Sequence, residues 1–385
     1  MSRWSRARIV LSVVFGCLIL ASVLAVWWSA PWVRRPPISH EDAEATLEEY
    51  TKIVDRMAAL PGEDHAALEA LFARWKDRLE SSQTPLRDET ACPMLPDDFG
   101  PATAPFLADA RTLSEEMATI VDDGLALRQL AGPEDDILDF TPLRESMRWE
   151  GALAILDARA GDSAAAARRI ERLGRISEGV VGAPVLIHVL MAAAMDGIAD
   201  LAVLSAAPRL GAGKLTAIVE GRRARTRYDD AFRESVAIEA VWMSRSLPTD
   251  FSSMRMLDRE ADSIHDHLMS MLFATGPRRT AIRERDVYLY ITRDYLSHLD
   301  EDTLSDTDPL KRLRDRGVRS VVAEMGWPNM PTLRAKLREM QKRFDAVTAF
   351  LERVAASGIG GLGASTFPYN EKYEIWTDGQ SVCLK

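Results

Sequence analysis

Residues 148–173 read RWEGALAILDARAGDSAAAARRIERL, two alanine-rich segments around a Gly161-Asp162-Ser163 corner. This stretch constrains the fold more than any other. Alanine is the strongest helix former, and small side chains on facing surfaces shorten the distance between packed helix axes. Gly161 suits a helix stop, and Asp162 or Ser163 suits the N-cap of a following helix. The segment therefore predicts an antiparallel helical hairpin. The same character runs almost unbroken from Thr141 to Thr226, punctuated only at Gly161-Asp162, Gly182-Ala183-Pro184 and Pro208-Arg209.

Further helices are expected at His40–Leu60, 64–81, 104–130, 227–246, 252–272, 278–298, 309–325 and 331–356. In the second of these, Leu68, Leu71, Phe72, Trp75 and Leu79 form one apolar stripe at helical spacing. Residues 82–105 carry five prolines and read as a loop, and Asp300–Asp308 reads as an acidic loop. After the glycine-rich stretch 358–363, Tyr373–Leu384 reads as two strands joined by Asp378-Gly379, a strong hairpin signal. An isolated hairpin is marginal in water, so this one should dock on the helices or on a partner chain. The expected fold class is mostly α: an N-terminal transmembrane helix, an antiparallel helical-hairpin body (α-solenoid-like or an irregular bundle) and a small C-terminal β-hairpin. The segments are a tail at 1–8, a span at 9–28, a linker at 29–39, a helical domain at 40–357 and a linker with hairpin at 358–385.

Ile9–Trp28 holds 20 residues without a charge. At about 1.5 Å per residue it spans a hydrocarbon core of about 30 Å. Arg3, Arg6 and Arg8 precede it, while Trp27, Trp28 and Trp32 follow where an aromatic belt belongs. The short arginine-bearing tail favours a cytoplasmic N-terminus, which puts the body outside a bacterial inner membrane. A cleaved signal peptide, giving a secreted protein, is the alternative. It fits less well, because the apolar run is long for a signal peptide and ends in tryptophans. Residues 1–35 contain five arginines and no acid, so the whole-chain charge of -10 leaves -15 on the rest. A body that acidic disfavours nucleic acid as a partner. Cys17, Cys92 and Cys383 show no zinc or redox spacing, and only Cys92 and Cys383 lie outside the apolar run.

Several motifs resemble chemistry. Leu210–Thr216 (LGAGKLT) is reminiscent of a phosphate-binding loop, but Pro208 and Leu215 occupy positions that need Gly and Ser or Thr. It is read as a helix-cap turn. Asp262, His265, Asp266 and His267 lie close in sequence, but His265 and His267 project about 200° apart on a helix. A metal site there would need His298 or the acidic loop as well, and a solvated helix face is the favoured reading. Asp300–Asp308 fails as an EF-hand loop at Leu304, Ser305 and Lys311. His188 lies in an apolar helix and is read as a hydrogen-bonded core histidine. Arg222, Arg223, Arg225 and Arg227 form a basic cluster, read as paired internally with acids such as Glu220, Asp229 and Asp230 rather than as an anion or headgroup site. Met254, Met256, Met269 and Met271 are read as core filling rather than a partner groove. Neither a Gly-x-Ser-x-Gly elbow nor a His-Glu-x-x-His pair occurs. No catalytic residue, cofactor or metal is assigned from the sequence.

Aligned on Gly161, the positions of Ala166, Ile170, Leu173, Leu153 and Ala154 resemble one tetratricopeptide unit. Asp157 replaces the usual aromatic residue, Glu178 replaces the closing proline, and no second copy follows at a 34-residue period. Over about 145–207, the runs LRESMRWEGA from Leu143, Gly161-Asp162, APVLI from Ala183 and MAAAM from Met191 resemble membrane-anchored helical proteins of planctomycete-type bacteria. That resemblance implies a strand pair following a helix, here Tyr373–Leu384 after Arg343–Ala356, and implies no activity. The sequence thus favours a membrane-anchored, extracytoplasmic, non-enzymatic protein that binds or scaffolds other proteins, with any small-molecule ligand unknown. The alternatives are a metal-dependent hydrolase near Asp262, His265 and His298, or an envelope-assembly or secretion accessory that uses the C-terminal hairpin.

Overall fold

The computed structural model describes residues 36–58, 63–81, 104–122, 125, 140–182, 185–246, 277–299, 309–320, 323–324, 327, 330–369 and 374–384. The expected span at 9–28, the loop at 82–103, the Asp262/His265/His267 cluster, the methionines of 254–271 and the acidic loop at 300–308 lie outside the described residues. So do Cys17, Cys92 and the side chain of Cys383.

The helices are α1 (His40–Ala58), α2 (Glu63–Ser81), α3 (Ala104–Val121), α4 (Phe140–Arg159), α5 (Ser163–Val181), α6 (Leu186–Ala206), α7 (Ala212–Arg223), α8 (Tyr228–Ser246), α9 (Pro277–Ser297), α10 (Pro309–Asp315), α11 (Met330–Ser357) and the single turn α12 (Ile359–Leu362). Strands β1 (Ala364–Pro368), β2 (Glu374–Asp378) and β3 (Val382–Leu384) complete the chain order. The architecture is mostly helical with a small antiparallel sheet, as the pattern predicts. The chain forms two compact units, residues 1–51 with 240–331, and residues 52–239 with 332–385.

In the first unit, Trp327 packs edge-on against Tyr288 and Tyr295, each with ring centroids 5.7 Å away. Buried Glu284 accepts a hydrogen bond from Ser320 Oγ at 2.5 Å and also pairs with Arg283. His40 Nδ1 lies 3.0 Å from the buried Asp286 carboxylate, which ties the start of α1 to α9.

The second unit is built on α4, α5 and α6, which pack on one another. Gly161 adopts φ 85°, a left-handed turn that a side chain would strain. Asp162 Oδ1 then caps α5 by accepting from the Ala165 N–H at 2.9 Å. The alanines act as expected: Ala154, Ala158 and Ala166 are fully buried at the α4–α5 contact or beside it. Gly151 brings α4 close to α6, since a Cβ there would lie 3.4 Å from the Ala202 Cβ. The stretch Leu186–Arg209 is long and apolar enough to cross a membrane by composition. Here 72% of its apolar window is buried within the protein, and it packs as the core helix.

The sheet has the order β1-β2-β3, with Thr366 opposite Trp376 and Trp376 opposite Cys383. The expected hairpin around Asp378-Gly379 is β2–β3. It does dock on helices: Ile375, Val382 and Tyr369 join Val347, Phe350 and Leu351 of α11 in one core cluster. Phe367 meets Phe350 edge-on at 5.1 Å.

Three expectations need correction. The glycine-rich stretch is followed by a strand, β1, that the sequence reading assigned to linker. The helix expected over 104–130 ends at Val121, where Asp122 turns back to bind Arg172 and Arg175. The helix expected over 309–325 ends at Asp315, because Gly317 at φ 69° turns the chain away.

Polar side chains also hold α3, α4 and α5 together. Glu150 of α4 is 1% exposed. Its carboxylate takes Arg172 Nη1 at 2.6 Å and Arg169 Nη1 at 3.1 Å. Arg172 spans to Asp122 through Nε and Nη2, both at 2.8 Å, and to Ser114 Oγ at 3.0 Å. Arg169 Nε donates to Asp157 at 2.7 Å, and Asp157 also receives Arg111. Asp157 is therefore the acidic end of this network, at the position where a tetratricopeptide unit carries an aromatic ring. A buried charge network is tolerated when its members are paired, but removing one partner leaves uncompensated charge. Glu150→Ala should accordingly destabilise this unit by about 3–5 kcal/mol, read as a lowered denaturant midpoint in equilibrium unfolding. A loss below about 1 kcal/mol would show that water replaces the carboxylate.

Candidate functional site

Among the described residues, the arginine run 222–227 is the sequence candidate that lines a cleft of the second unit. α7 ends at Arg223 and α8 begins at Tyr228, so the run occupies the turn between two helices. Core helix α6 supplies Asp196 and Asp200, one turn apart on the same face. Both are buried. Arg222 Nη2 pairs with Asp200 at 2.7 Å, donates to the Phe344 carbonyl at 3.0 Å, and its Nε donates to Thr348 Oγ1 at 2.9 Å. Arg225 Nη1 pairs with Asp196 at 2.5 Å, and the Tyr228 hydroxyl donates to the other oxygen of the same carboxylate. Phe344 of α11 lies under both guanidiniums, 3.8 Å from Arg222 Cζ and 5.4 Å from Arg225 Cζ. These are distances at which the ring face attracts a cation.

Glycine at 174 makes room for this arrangement. A Cβ on Gly174 would lie 1.9 Å from Arg225 Nη2, so the guanidinium rests across α5 only because no side chain is there. The two arginines separate two cavities. One, of about 130 Å³, is polar and includes Ser177, Thr226, Tyr228 and Gln341 in its walls. The other, of about 340 Å³, has walls of Ile170, Ala199, Ala217, Ile218, Gly221 and Ala224 with a charged rim. Arg222, Arg225 and Glu178 line both. Glu178 accepts from Thr226 Oγ1 at 2.8 Å and from its backbone N–H at 3.2 Å.

The sequence expected internal pairing of this cluster with Glu220, Asp229 and Asp230. The pairing is internal, but the partners are different. Arg223 takes Glu352 at 2.6 Å and Arg227 takes Asp345 at 3.5 Å, alongside the Asp200 and Asp196 pairs. Asp229 instead faces Arg338 at 3.4 Å and Arg334 at 3.8 Å. The turn at 224–227 points the arginines back across the unit at α6 and α11, so their neighbours in sequence are not their neighbours in space.

The other candidates fall elsewhere. His298 closes α9, where its Nδ1 lies 2.6 Å from the Asp294 carbonyl, while the Asp294 carboxylate is taken by Arg312 at 2.7 Å. His188 is buried in the core and meets Phe140 edge-on at 5.0 Å. The LGAGKLT stretch opens α7 with Gly211 as N-cap, and Lys214 Nζ donates to Ser163 Oγ at 2.7 Å, so it is a helix-cap turn as read. Among the described residues no group of three His, Cys, Asp or Glu side chains is placed to hold a metal ion. The buried carboxylates Asp196 and Asp200 were missed by sequence reasoning. Their signal was available: two acids at i, i+4 inside a helix that is otherwise apolar.

No family model, curated protein or solved structure matches this chain. The site therefore rests on its own geometry.

Burial pushes the Asp200 carboxyl from 3.8 up to about 6, against the pull of Arg222 and with the push of Asp196. Tyr228 is driven well above its ordinary range by burial and by Asp196. For Asp200 the folded state binds the proton more tightly than the unfolded chain does. Its contribution to stability is thus full below pH 3.8 and falls as pH rises through about 6. The gap corresponds to about 3 kcal/mol. Unfolding of wild type and Asp200→Asn in urea at pH 4, 5.5 and 7.5 should show the penalty of the substitution shrinking by about 2–3 kcal/mol as pH rises. A penalty that does not vary with pH would mean that Asp200 is ionised throughout.

Proposed function

We propose that this chain is a membrane-anchored helical binding protein of the bacterial envelope. In this reading the span at 9–28 leaves the tail cytoplasmic and the helical body extracytoplasmic, and the body engages a protein partner rather than transforming a substrate. The observation that carries it is the arginine cleft. Its guanidiniums are held in fixed positions by buried carboxylates and by Phe344, the preorganisation that binding rewards. Its chemistry is also that of recognition. Arginine stays protonated at any physiological pH and Tyr228 is moved further from neutrality, so neither shuttles protons readily, while Asp200, which burial moves towards neutrality, is enclosed beneath Arg222 and lines neither cavity.

Two measurements test this. The full chain should sediment with membranes and be released by detergent, whereas deletion of residues 1–35 should free it; an unchanged fractionation would remove the anchor. A photoreactive residue at Arg227, exposed at the cleft mouth, should give a discrete adduct in native membranes, and one at Gln380 on the β2–β3 turn should not. Identical patterns from both positions would count against a partner at the cleft.

A further inference from the structure

At the start of α1 one histidine faces two acids. His40 Nδ1 lies 3.0 Å and 3.2 Å from the two carboxylate oxygens of Asp286 on α9. Its Nε2 lies 3.6 Å from Glu44, one turn along α1. The Asp286 side chain is 5% exposed, whereas the His40 ring is 56% exposed and meets water. Arg285 completes the group, since its Nη2 donates to Glu44 and lies 3.6 Å from Asp286. All four residues belong to the first unit. Of the neighbouring acids, Glu41 and Asp42 are exposed in the first turn of α1, and Glu284 of α9 turns away to Arg283 and Ser320.

The protonation state of the ring decides whether this arrangement is satisfied. A neutral imidazole carries one N–H and one lone pair. With the Nδ1–H given to Asp286, the lone pair of Nε2 points at the Glu44 carboxylate, which repels it. Imidazolium presents an N–H to each acid. The charge count agrees: a neutral ring leaves two carboxylates against one guanidinium, and a protonated ring balances them. The start of a helix disfavours a cation by itself. Here Glu41, Asp42 and Glu44 oppose that field. Histidine is also the side chain whose charge changes within the physiological pH range.

We propose that His40, Glu44, Arg285 and Asp286 form a pH-set latch, closed by protonation of His40, that fixes the first turn of α1 to α9. In mildly acidic surroundings both ring nitrogens donate and the turn is held. As pH rises the ring loses its charge, Glu44 is left facing a lone pair, and the turn loosens. Strong acid opens the latch as well, once Asp286 takes a proton. Burial moves that carboxyl up, while His40 and Arg285 pull it down. The placement gives the latch a use. His40 follows Pro36-Pro37 by three residues, where the chain enters the body from the apolar run at 9–28. On the anchored reading, the pH outside the membrane governs how firmly the body holds its own tether. The latch goes beyond the binding reading and uses none of the cleft residues.

The test is hydrogen–deuterium exchange of the full chain in detergent at pH 6.0 and 8.5, read by mass spectrometry on a peptide covering 41–48. Each rate is divided by the intrinsic rate at that pH to give a protection factor. Wild-type protection should fall about 3–5-fold from pH 6.0 to 8.5, the size expected of an exposed ion pair. His40→Gln keeps an N–H donor but takes no charge, and should show the lower protection at both pH values. Glu44→Gln should reduce the pH dependence by at least half. Both positions are exposed, so neither variant threatens the fold. Equal wild-type protection at both pH values overturns the latch. So does a pH dependence that survives His40→Gln, or one that Glu44→Gln leaves unchanged. A fall of the same size in a peptide covering 340–352 of α11 marks a global loss of stability and overturns it too.

Discussion

Glu150, on the inner face of α4, is the one acid among the described residues that touches both Arg169 and Arg172. Through those two arginines it reaches Ser114, Asp122 and Asp157, so one carboxylate fixes how α3, α4 and α5 lie against each other. Apolar packing alone does not specify such a register uniquely, because alanine-rich faces slide with little loss of contact. Charge pairs with matched partners resist sliding. The α4–α5 hairpin packs against α6, and α6 presents Asp196 and Asp200 to the arginine run, so the cleft is built on the hairpin that Glu150 pins.

The same design appears twice in this unit. In the α3–α5 network a carboxylate at the centre organises arginines around it. In the cleft, a pair of carboxylates on α6 sets two arginines, and the aromatic face of Phe344 supports them from the other side. In the first network Arg172 uses Nε, Nη1 and Nη2 on Asp122 and Glu150, and the network serves as structure. The second borders open volume and the first does not, a difference that composition does not show.

Much of the helical frame was legible in the sequence. Breaks at Gly161-Asp162, at Gly182 to Pro184 and at Pro208-Arg209 fall where α4, α5, α6 and α7 are separated, because glycine and proline act locally on the backbone. The Asp378-Gly379 hairpin was legible for the same reason. β1 was not: Ser365, Thr366 and Phe367 become a strand only through pairing with β2 and contact with Phe350, both remote in sequence. The arginine run was visible as a cluster but its partners were not. Arg222 and Asp200 are brought together by the path of α7, and Arg222 and Thr348 by a return of the chain more than a hundred residues later. Local signals announce elements, and long-range pairing decides what those elements do.

The second unit is discontinuous, made of residues 52–239 and then 332–385. The carboxylates and arginines of the cleft are synthesised early, whereas Phe344 and Thr348, which steady Arg222, come after the intervening stretch. At about 5–20 residues per second, that gap leaves the half-built site waiting on the order of ten seconds. During that interval Asp200 and Arg222 lack the α11 side of their enclosure, and the apolar faces meant for α11 and the sheet stay uncovered. Translation order thus builds into this protein a period in which its core helix α6, apolar enough in composition for a bilayer, has yet to be fully enclosed.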